Sequence, residues 1–146
     1  DVVVENPKIT DLQVKLLNDN IISPDQDISF EISYDVNEDI ETYIAFSLTD
    51  IDRGIWIYND NSMDNKTSGS GRKTLTYKCS LAHLNNIKLK LQVSVRDKDD
   101  QMIAFADSDN SPVILLNRTD IEDDDKSAKD SATGMVKRNG KWEIQE

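Results

Sequence analysis

The stretch "DISFEISYDV" (residues 27–36) decides the fold class, because its apolar and polar residues alternate strictly. The apolar positions are Ile28, Phe30, Ile32, Tyr34 and Val36. Successive side chains of a β-strand point to opposite faces of the sheet. The pattern therefore predicts an antiparallel strand with one face on a hydrophobic core and the other in water.

The stretch "NIKLKLQVSVRD" (residues 86–97) repeats this alternation with Ile87, Leu89, Leu91, Val93 and Val95. Shorter strand candidates lie at residues 9–17, 42–50, 54–60, 73–81, 102–107 and 112–116, with turn-like sequences between them. About eight strands without a convincing amphipathic helix are typical of an antiparallel β-sandwich. We therefore predict an all-β sandwich of about eight to nine strands.

The composition of the chain argues against several classes of function. The chain has 146 residues, 17 Lys and Arg against 28 Asp and Glu, and a net charge of -11. This length suits one domain with a proper core. An acidic surface without a basic patch argues against nucleic-acid binding. No apolar run approaches the roughly 18 to 20 residues that span a bilayer.

No residue set in the sequence points to catalysis or to a cofactor. Cys79 and His83 are the only residues of their types, and Cys79 shares strand parity with apolar neighbours, which predicts a buried, inert thiol. Acidic runs at residues 97–100, 107–110 and 120–125 offer oxygen ligands for Ca²⁺, but they lack the calcium-loop spacing. The alternative is that these acids form turns. We expect no enzyme, no metal and no cofactor.

The strand pattern stops after Leu116. Residues 117–133 are polar and acidic, which predicts a flexible linker between a sandwich at 8–116 and a last segment. Residues 134–146 regain strand character, and their apolar side chains must dock somewhere. The residues concerned are Met135, Val136, Trp142 and Ile144.

The stretch "GIWIYNDNS" (residues 54–62) is anomalous for a half-buried strand. By simple alternation Trp56 and Tyr58 share one face, and a cluster of amides and hydroxyls follows them. Aromatic rings on a solvated face could support a sugar ring, with nearby polar groups binding its hydroxyls. Equally, both rings could cover an edge of the core.

Read in order, five segments resemble the C-terminal domain of the ATPase subunit of O-antigen polysaccharide ABC exporters. They are "ITDLQVKLLNDN", "DISFEISYDVNEDI", "IAFSLTDIDRGIWIYNDNS", "LAHLNNIKLKLQVSVRDKDDQMIA" and "GMVKRNGKWEI". The resemblance covers roughly residues 8 to 146, and "VSVRDKDDQ" and the closing glycine, valine and tryptophan carry most of it. Where the family often has Gly-x-Tyr before the long strand, this chain has Asn85, Asn86 and Ile87.

The resemblance implies an immunoglobulin-like β-sandwich that binds exported O-antigen polysaccharide, often at its modified non-reducing end. Its partners would be an ATPase domain, with residues 1–7 as the linker from it, and a transmembrane permease. The location would be cytoplasmic, peripheral to the inner membrane through the transporter. Exchange of the last strand between two copies would make a homodimer.

The resemblance also favours the sugar-binding interpretation of Trp56 and Tyr58. Arginine and lysine belong in such a site because capped glycans often end in a carboxylate or phosphate, which Arg binds in bidentate fashion. The candidate carbohydrate-binding residues are Trp56, Tyr58, Asn59, Asn61, Ser62, Arg72, Lys88, Lys90, Gln92 and Arg96. Two other hypotheses stay open: a structural or adhesion module without a glycan ligand, and a glycan-processing enzyme with two converging carboxylates.

Overall fold

Two β-sheets pack face to face in the computed structural model, which describes residues 6–145. The predicted linker at residues 1–7 therefore lies mostly outside the described part. The strands are β1 (Ile9–Leu16), β2 (Ile21–Ile22), β3 (Ile28–Val36), β4 (Thr42–Asp50), β5 (Ile55–Asn61), β6 (Gly71–Cys79), β7 (Ile87–Asp97), β8 (Met102–Phe105) and β9 (Val113–Leu116). Short 3-10 turns occur at Met63–Asn65 and Ser108–Asn110, and one helix, α1, spans Lys126–Ser131.

The smaller sheet has the strand order β1-β3-β6, and the larger has the order β2-β9-β7-β4-β5. Strand β8 also pairs with β7, at the end that β9 leaves free. All described pairs are antiparallel except β2 with β9, which is parallel. The predicted all-β sandwich is confirmed, and only the two-residue β2 and helix α1 lie outside the predicted elements.

The core lies between the two central strands that sequence alternation identifies. All five apolar residues of β3 and all five of β7 are buried. Phe30 of β3 meets Phe46 of β4 edge to face across the sandwich, with ring centroids 5.1 Å apart. Such aromatic contacts add to the free energy gained by removing apolar area from water.

Residues 117–133, the predicted flexible linker, include helix α1 and make defined contacts with the sandwich. Asp125 caps α1 by accepting a hydrogen bond from the Ala128 amide, and Arg118 is held at the other end of the segment. The buried Asn85 accepts from the Arg118 guanidinium at 2.8 Å and donates to the Gly134 carbonyl at 2.7 Å. One buried amide therefore ties both ends of the segment to the loop before β7, a contact that composition does not reveal.

The last segment of the chain packs on the sandwich before Lys137 and is exposed after it. Met135 packs against the core, and Val136 forms an isolated bridge with Leu84. Beyond them, residues 138–145 form no regular element, and Trp142 and Ile144 are 94% and 78% exposed. Apart from the Leu84 bridge, no sheet edge of the described residues pairs with residues 134–145 in this single chain, so the predicted terminal strand stays a prediction.

Two further sequence features have simple structural outcomes. Cys79 at the end of β6 is half-buried, and this burial raises the pKa of its thiol. Within residues 6–145, no helix has the length and apolar character needed to cross a bilayer.

Candidate functional site

An open concavity lies on the outward surface of β4, β5, β7 and β8, and we call this surface the concave face. It has a volume of about 480 Å³. Pockets for small ligands commonly measure about 300 to 1,000 Å³. Strands β5 and β8 flank β4 and β7, so their backbones are separated by three strand spacings, or roughly 14 Å. The concavity is therefore a trough between two edge strands with a floor formed by β4 and β7.

A β-bulge at Ile57 turns Trp56 into this trough. Tyr58 pairs with Leu48, but Trp56 pairs with Thr49, so β5 has one residue more than β4 at this point. A bulge of this kind shifts the side-chain alternation by one position. Trp56 is 72% exposed and lines the concavity.

Tyr58 consequently faces the opposite way from Trp56. Its ring stacks on Phe46 with centroids 6.1 Å apart, and its hydroxyl lies 2.6 Å from the Tyr77 hydroxyl. Our interpretation that both rings share one face is therefore wrong, because simple alternation does not allow for the extra residue. The position of Trp56 agrees with the sugar-platform hypothesis, whereas the position of Tyr58 agrees with the hypothesis that the ring covers an edge of the core.

A second bulge, at Ile103, has the same effect on the other side of the trough. Phe105 pairs with Ser94 and Met102 with Arg96, so three residues of β7 oppose four of β8. Side chains three apart on a regular strand would point to opposite faces. Here both Met102 and Phe105 line the concavity, and they are 52% and 54% exposed.

The floor and the β5 side of the trough are polar. Gln92, Ser94 and Arg96 rise from β7, and Asn59 and Asn61 extend from β5. Gln92 accepts a hydrogen bond from Thr49 at 3.1 Å, which fixes the carbonyl end of its amide. The trough therefore combines exposed apolar walls with amide, hydroxyl and guanidinium groups, as sugar binding requires.

Asp60 is the acidic residue at the edge of the concavity among the described residues, but it pairs with Phe46, whose ring is buried in the core. Its carboxylate therefore points away from the trough, toward β6 of the smaller sheet. Tyr77 donates a hydrogen bond to it, and the Asn61 amide donates at 2.7 Å. Burial and the hydrogen bonds with Asp60 and Tyr58 raise the pKa of Tyr77, so its proton stays in place. Asp60 is thus a fixed acceptor on the core side of β5, bonded to the smaller sheet.

The other predicted residues lie apart from the concavity. Ser62 accepts a hydrogen bond from the Ile44 amide at 2.9 Å and so connects the end of β5 to β4. Lys88 and Lys90 lie further along β7, where it pairs with β9. Arg72 belongs to β6 in the smaller sheet, where Asp11 and Asp35 bind it. The structure therefore does not bring Ser62, Arg72, Lys88 or Lys90 into the trough.

The acidic runs form turns in the described chain. Asp97 accepts hydrogen bonds from the amides of Asp99 and Gln101, and Asp107 accepts one from the Asn110 amide. Short acidic side chains stabilise turns in this way. Residues 6–145 contain no group of three metal-ligating side chains.

Sequence reasoning missed Met63, Met102 and Phe105, which supply apolar surface to the concavity. A signal for β8 was present in the sequence. "MIAF" is apolar at every position, as "IWIY" is, although it forms a short strand. These two runs belong to edge strands of the larger sheet, although the apolar runs at residues 43–46 and 113–116 belong to the inner strands β4 and β9.

The sequence matches no protein-family model and no curated protein. Among solved structures, it resembles the crystal structure of the C-terminal domain of Wzt, with a TM-score of 0.56. The identity is 12%, over 96% of this chain and 86% of that one. The chain has a Wzt-like fold. This likeness to Wzt concerns the course of the backbone alone.

Two other structures align less well than Wzt. A CARDB domain from Pyrococcus furiosus, solved with two metal ions, has a TM-score of 0.47 at 11% identity, over 78% of this chain and 99% of that one. The DNA glycosylase AlkC of Pseudomonas fluorescens has a TM-score of 0.46 at 9% identity, over 75% of this chain and 30% of that one. Neither value supports an argument about this chain.

Proposed function

We propose that this chain is a non-catalytic carbohydrate-binding domain that recognises O-antigen polysaccharide, at its modified non-reducing end, for export by an ABC transporter. The observation that carries the proposal is the exposed Trp56 on a polar trough with Met102 and Phe105 opposite it. A solvent-exposed indole has no structural role that explains its position, whereas sugar rings pack well on such surfaces.

The Wzt-like fold agrees with the sequence resemblance to the polysaccharide-binding domain of O-antigen exporters. On this proposal the domain works beside an ATPase domain and a transmembrane permease, in the cytoplasm and peripheral to the inner membrane. Among the described residues the trough holds no pair of carboxylates, which supports binding over hydrolysis, since glycosidases normally use a pair.

The experiment is an NMR titration of the whole chain with polysaccharide from its own source organism, capped and uncapped. We expect shifts centred on Trp56 and Gln92, and weaker shifts with the uncapped polymer. Trp56→Ala should reduce affinity by at least about tenfold, equal to about 1.4 kcal/mol.

The control is Ile21→Ala, because Ile21 is also exposed, at 57%, but lies on β2, outside the concavity. It should bind as the original chain does. If no polysaccharide shifts any signal of the concave face, a structural or adhesion module without a glycan ligand becomes the better interpretation.

We also propose that the chain forms a homodimer by exchanging its terminal segment. Trp142 and Ile144 are exposed two residues apart, the spacing at which strand side chains share a face. Strand β6 has an unpaired edge in its sheet, and exchange of identical segments is a low-cost route to dimers. Because Met135 and Val136 already contact their own chain, the exchanged part would begin after Lys137.

Sedimentation equilibrium of the whole chain tests this dimer. Deletion of residues 138–146 should convert it to a monomer that keeps its fold, since Met135 and the Leu84 bridge remain. The double substitution Trp142→Ser and Ile144→Ser should act similarly. A monomeric intact chain at tens of micromolar would show that no exchange occurs.

A further inference from the structure

Arg96 is the arginine of the concave face, and it has no acidic partner among residues 6–145. Arg53, Arg72 and Arg118 each form an ion pair with an aspartate. The exposed Arg138 forms no ion pair but donates to the Ser127 hydroxyl at 2.8 Å. Arg96 forms none either, although the chain has 28 acids against 17 Lys and Arg. Its Nε atom is buried and donates no hydrogen bond. An unpaired guanidinium in so acidic a chain needs a reason.

The acids close to Arg96 in the sequence and at the edge of the concavity are held by other donors. Asp97 binds the amides of Asp99 and Gln101 at 2.9 and 3.0 Å. Asp100 accepts a hydrogen bond from the Tyr43 hydroxyl at 2.8 Å, and Tyr77 and the Asn61 amide occupy Asp60. The Arg96 guanidinium therefore contacts the Tyr43 side chain but has no acidic partner among the described residues, which leaves it available to an anion from outside the chain.

The position of Arg96 on β7 also directs it into the trough. Its cross-strand neighbours are Tyr43 on β4 and Met102 on β8, and both line the same concavity. Partly buried charges are screened less by salt and bind opposite charges more strongly than charges in open water. The planar guanidinium also matches the two oxygens of a carboxylate or phosphate.

We propose that the trough takes an acidic saccharide, whose oxyanion binds Arg96 while its sugar ring packs between Trp56 and Phe105. This inference rests on the proposed glycan-binding function and adds the chemical class of the ligand. Arg72, which the sequence makes an equal candidate, has no part in it, because its two aspartates already neutralise it.

The test compares methyl glucuronide, glucose 6-phosphate, methyl glucoside and inorganic phosphate by NMR titration of the whole chain. The first two should bind at least about tenfold more tightly than the neutral methyl glucoside, a difference of about 1.4 kcal/mol. Whichever acidic sugar binds more tightly distinguishes a carboxylate ligand from a phosphate ligand. Shifts should include both Arg96 and Trp56.

Three variants locate the effect. Arg96→Gln should remove the preference for acidic sugars over methyl glucoside, and Arg96→Lys should restore only part of the preference. Arg72→Gln is the matched control and should keep the whole preference. Dispersed amide spectra establish that each variant is folded.

Three outcomes would overturn the proposal in distinguishable ways. Equal binding of acidic and neutral sugars at Trp56, unaffected by Arg96→Gln, refutes the acidic class and leaves glycan binding intact. Inorganic phosphate binding as tightly as the acidic sugars would make the site an ion site rather than a saccharide site. Absence of shifts with every sugar and with the source polysaccharide refutes both proposals.

Discussion

The outer faces of the two sheets differ in how their polar groups are satisfied. On the three-stranded sheet, Arg72 bonds Asp11 at 2.8 Å, approaches Asp35 at 3.3 Å and donates to Ser33 at 2.9 Å. On the concave face of the six-stranded sheet, Arg96 has no acidic partner within the described residues. The same residue type is therefore neutralised on one face and left available on the other.

Apolar side chains show the same division. None of the large apolar residues that are exposed in the described chain belongs to β1, β3 or β6, whereas Trp56, Met102 and Phe105 belong to β5 and β8. Folding alone gives no reason to expose them on one side only. A sheet face that keeps an unpaired charge and exposed apolar side chains typically binds a ligand there. Keeping these groups exposed lowers the free energy of unfolding below what a fully satisfied surface would give.

The largest expected effect separates the two aromatic residues of β5. Tyr58→Ala should lower the free energy of unfolding by about 2 to 3 kcal/mol, because truncating a core aromatic costs about 3 to 5 kcal/mol and Tyr58 is half-buried. Trp56→Ala should change it by less than about 0.5 kcal/mol, as surface substitutions do. Urea denaturation of both variants measures the difference.

Tyr58→Phe is the control, since it keeps the ring and removes only the hydroxyl bonded to Tyr77. It should cost about 1 kcal/mol. If Trp56→Ala proved as destabilising as Tyr58→Ala, both rings would be structural and the division between the two faces of β5 would disappear.

A smaller effect separates the two arginines. Arg72→Ala should lower stability by up to about 1 kcal/mol, with a smaller loss in high salt, because its ion pairs are partly exposed. Arg96→Met should leave stability unchanged or raise it, since it removes a buried donor without a partner. Thermal unfolding at two salt concentrations compares them. A strongly destabilising Arg96→Met would mean that Arg96 supports the fold.

The smallest expected effect is the response to low pH of the β4–β5 turn, which precedes Trp56. Burial opposes ionisation of Asp50, but hydrogen bonds from the Arg53 side chain and the Arg53 and Asp52 amides outweigh it and lower its pKa below 3.8. A lowered folded-state pKa stabilises the fold above the unfolded value, and this contribution is lost as the pH falls through the folded-state pKa.

Amide exchange and the Trp56 signals should therefore change as the pH falls through the lowered folded-state pKa of Asp50 and the β4–β5 turn loosens. Asp50→Asn should show the loosened turn at neutral pH and lose the acid step. An acid transition that loosens the three-stranded sheet first and leaves the β4–β5 turn protected would place the pH-sensitive contacts on the other sheet.

The sequence by itself determined the fold class and the core. Strict alternation in β3 and β7 commits five side chains of each strand to one face, and the free energy of burying them allows no other arrangement. It also singled out Trp56, Asn59, Asn61, Gln92 and Arg96, which the structure brings together at the trough.

Only the tertiary structure decided which exposed groups share a surface. The bulges at Ile57 and Ile103 depend on how each strand pairs with its neighbour. Alternation along β5 alone puts Trp56 and Tyr58 on one face, and alternation along β8 alone puts Met102 and Phe105 on opposite faces. The strand pairing reverses both assignments. Likewise Arg72 and Arg96 look equivalent until the sheet of each is known. Long-range pairing sets the register, and register decides which face a side chain occupies.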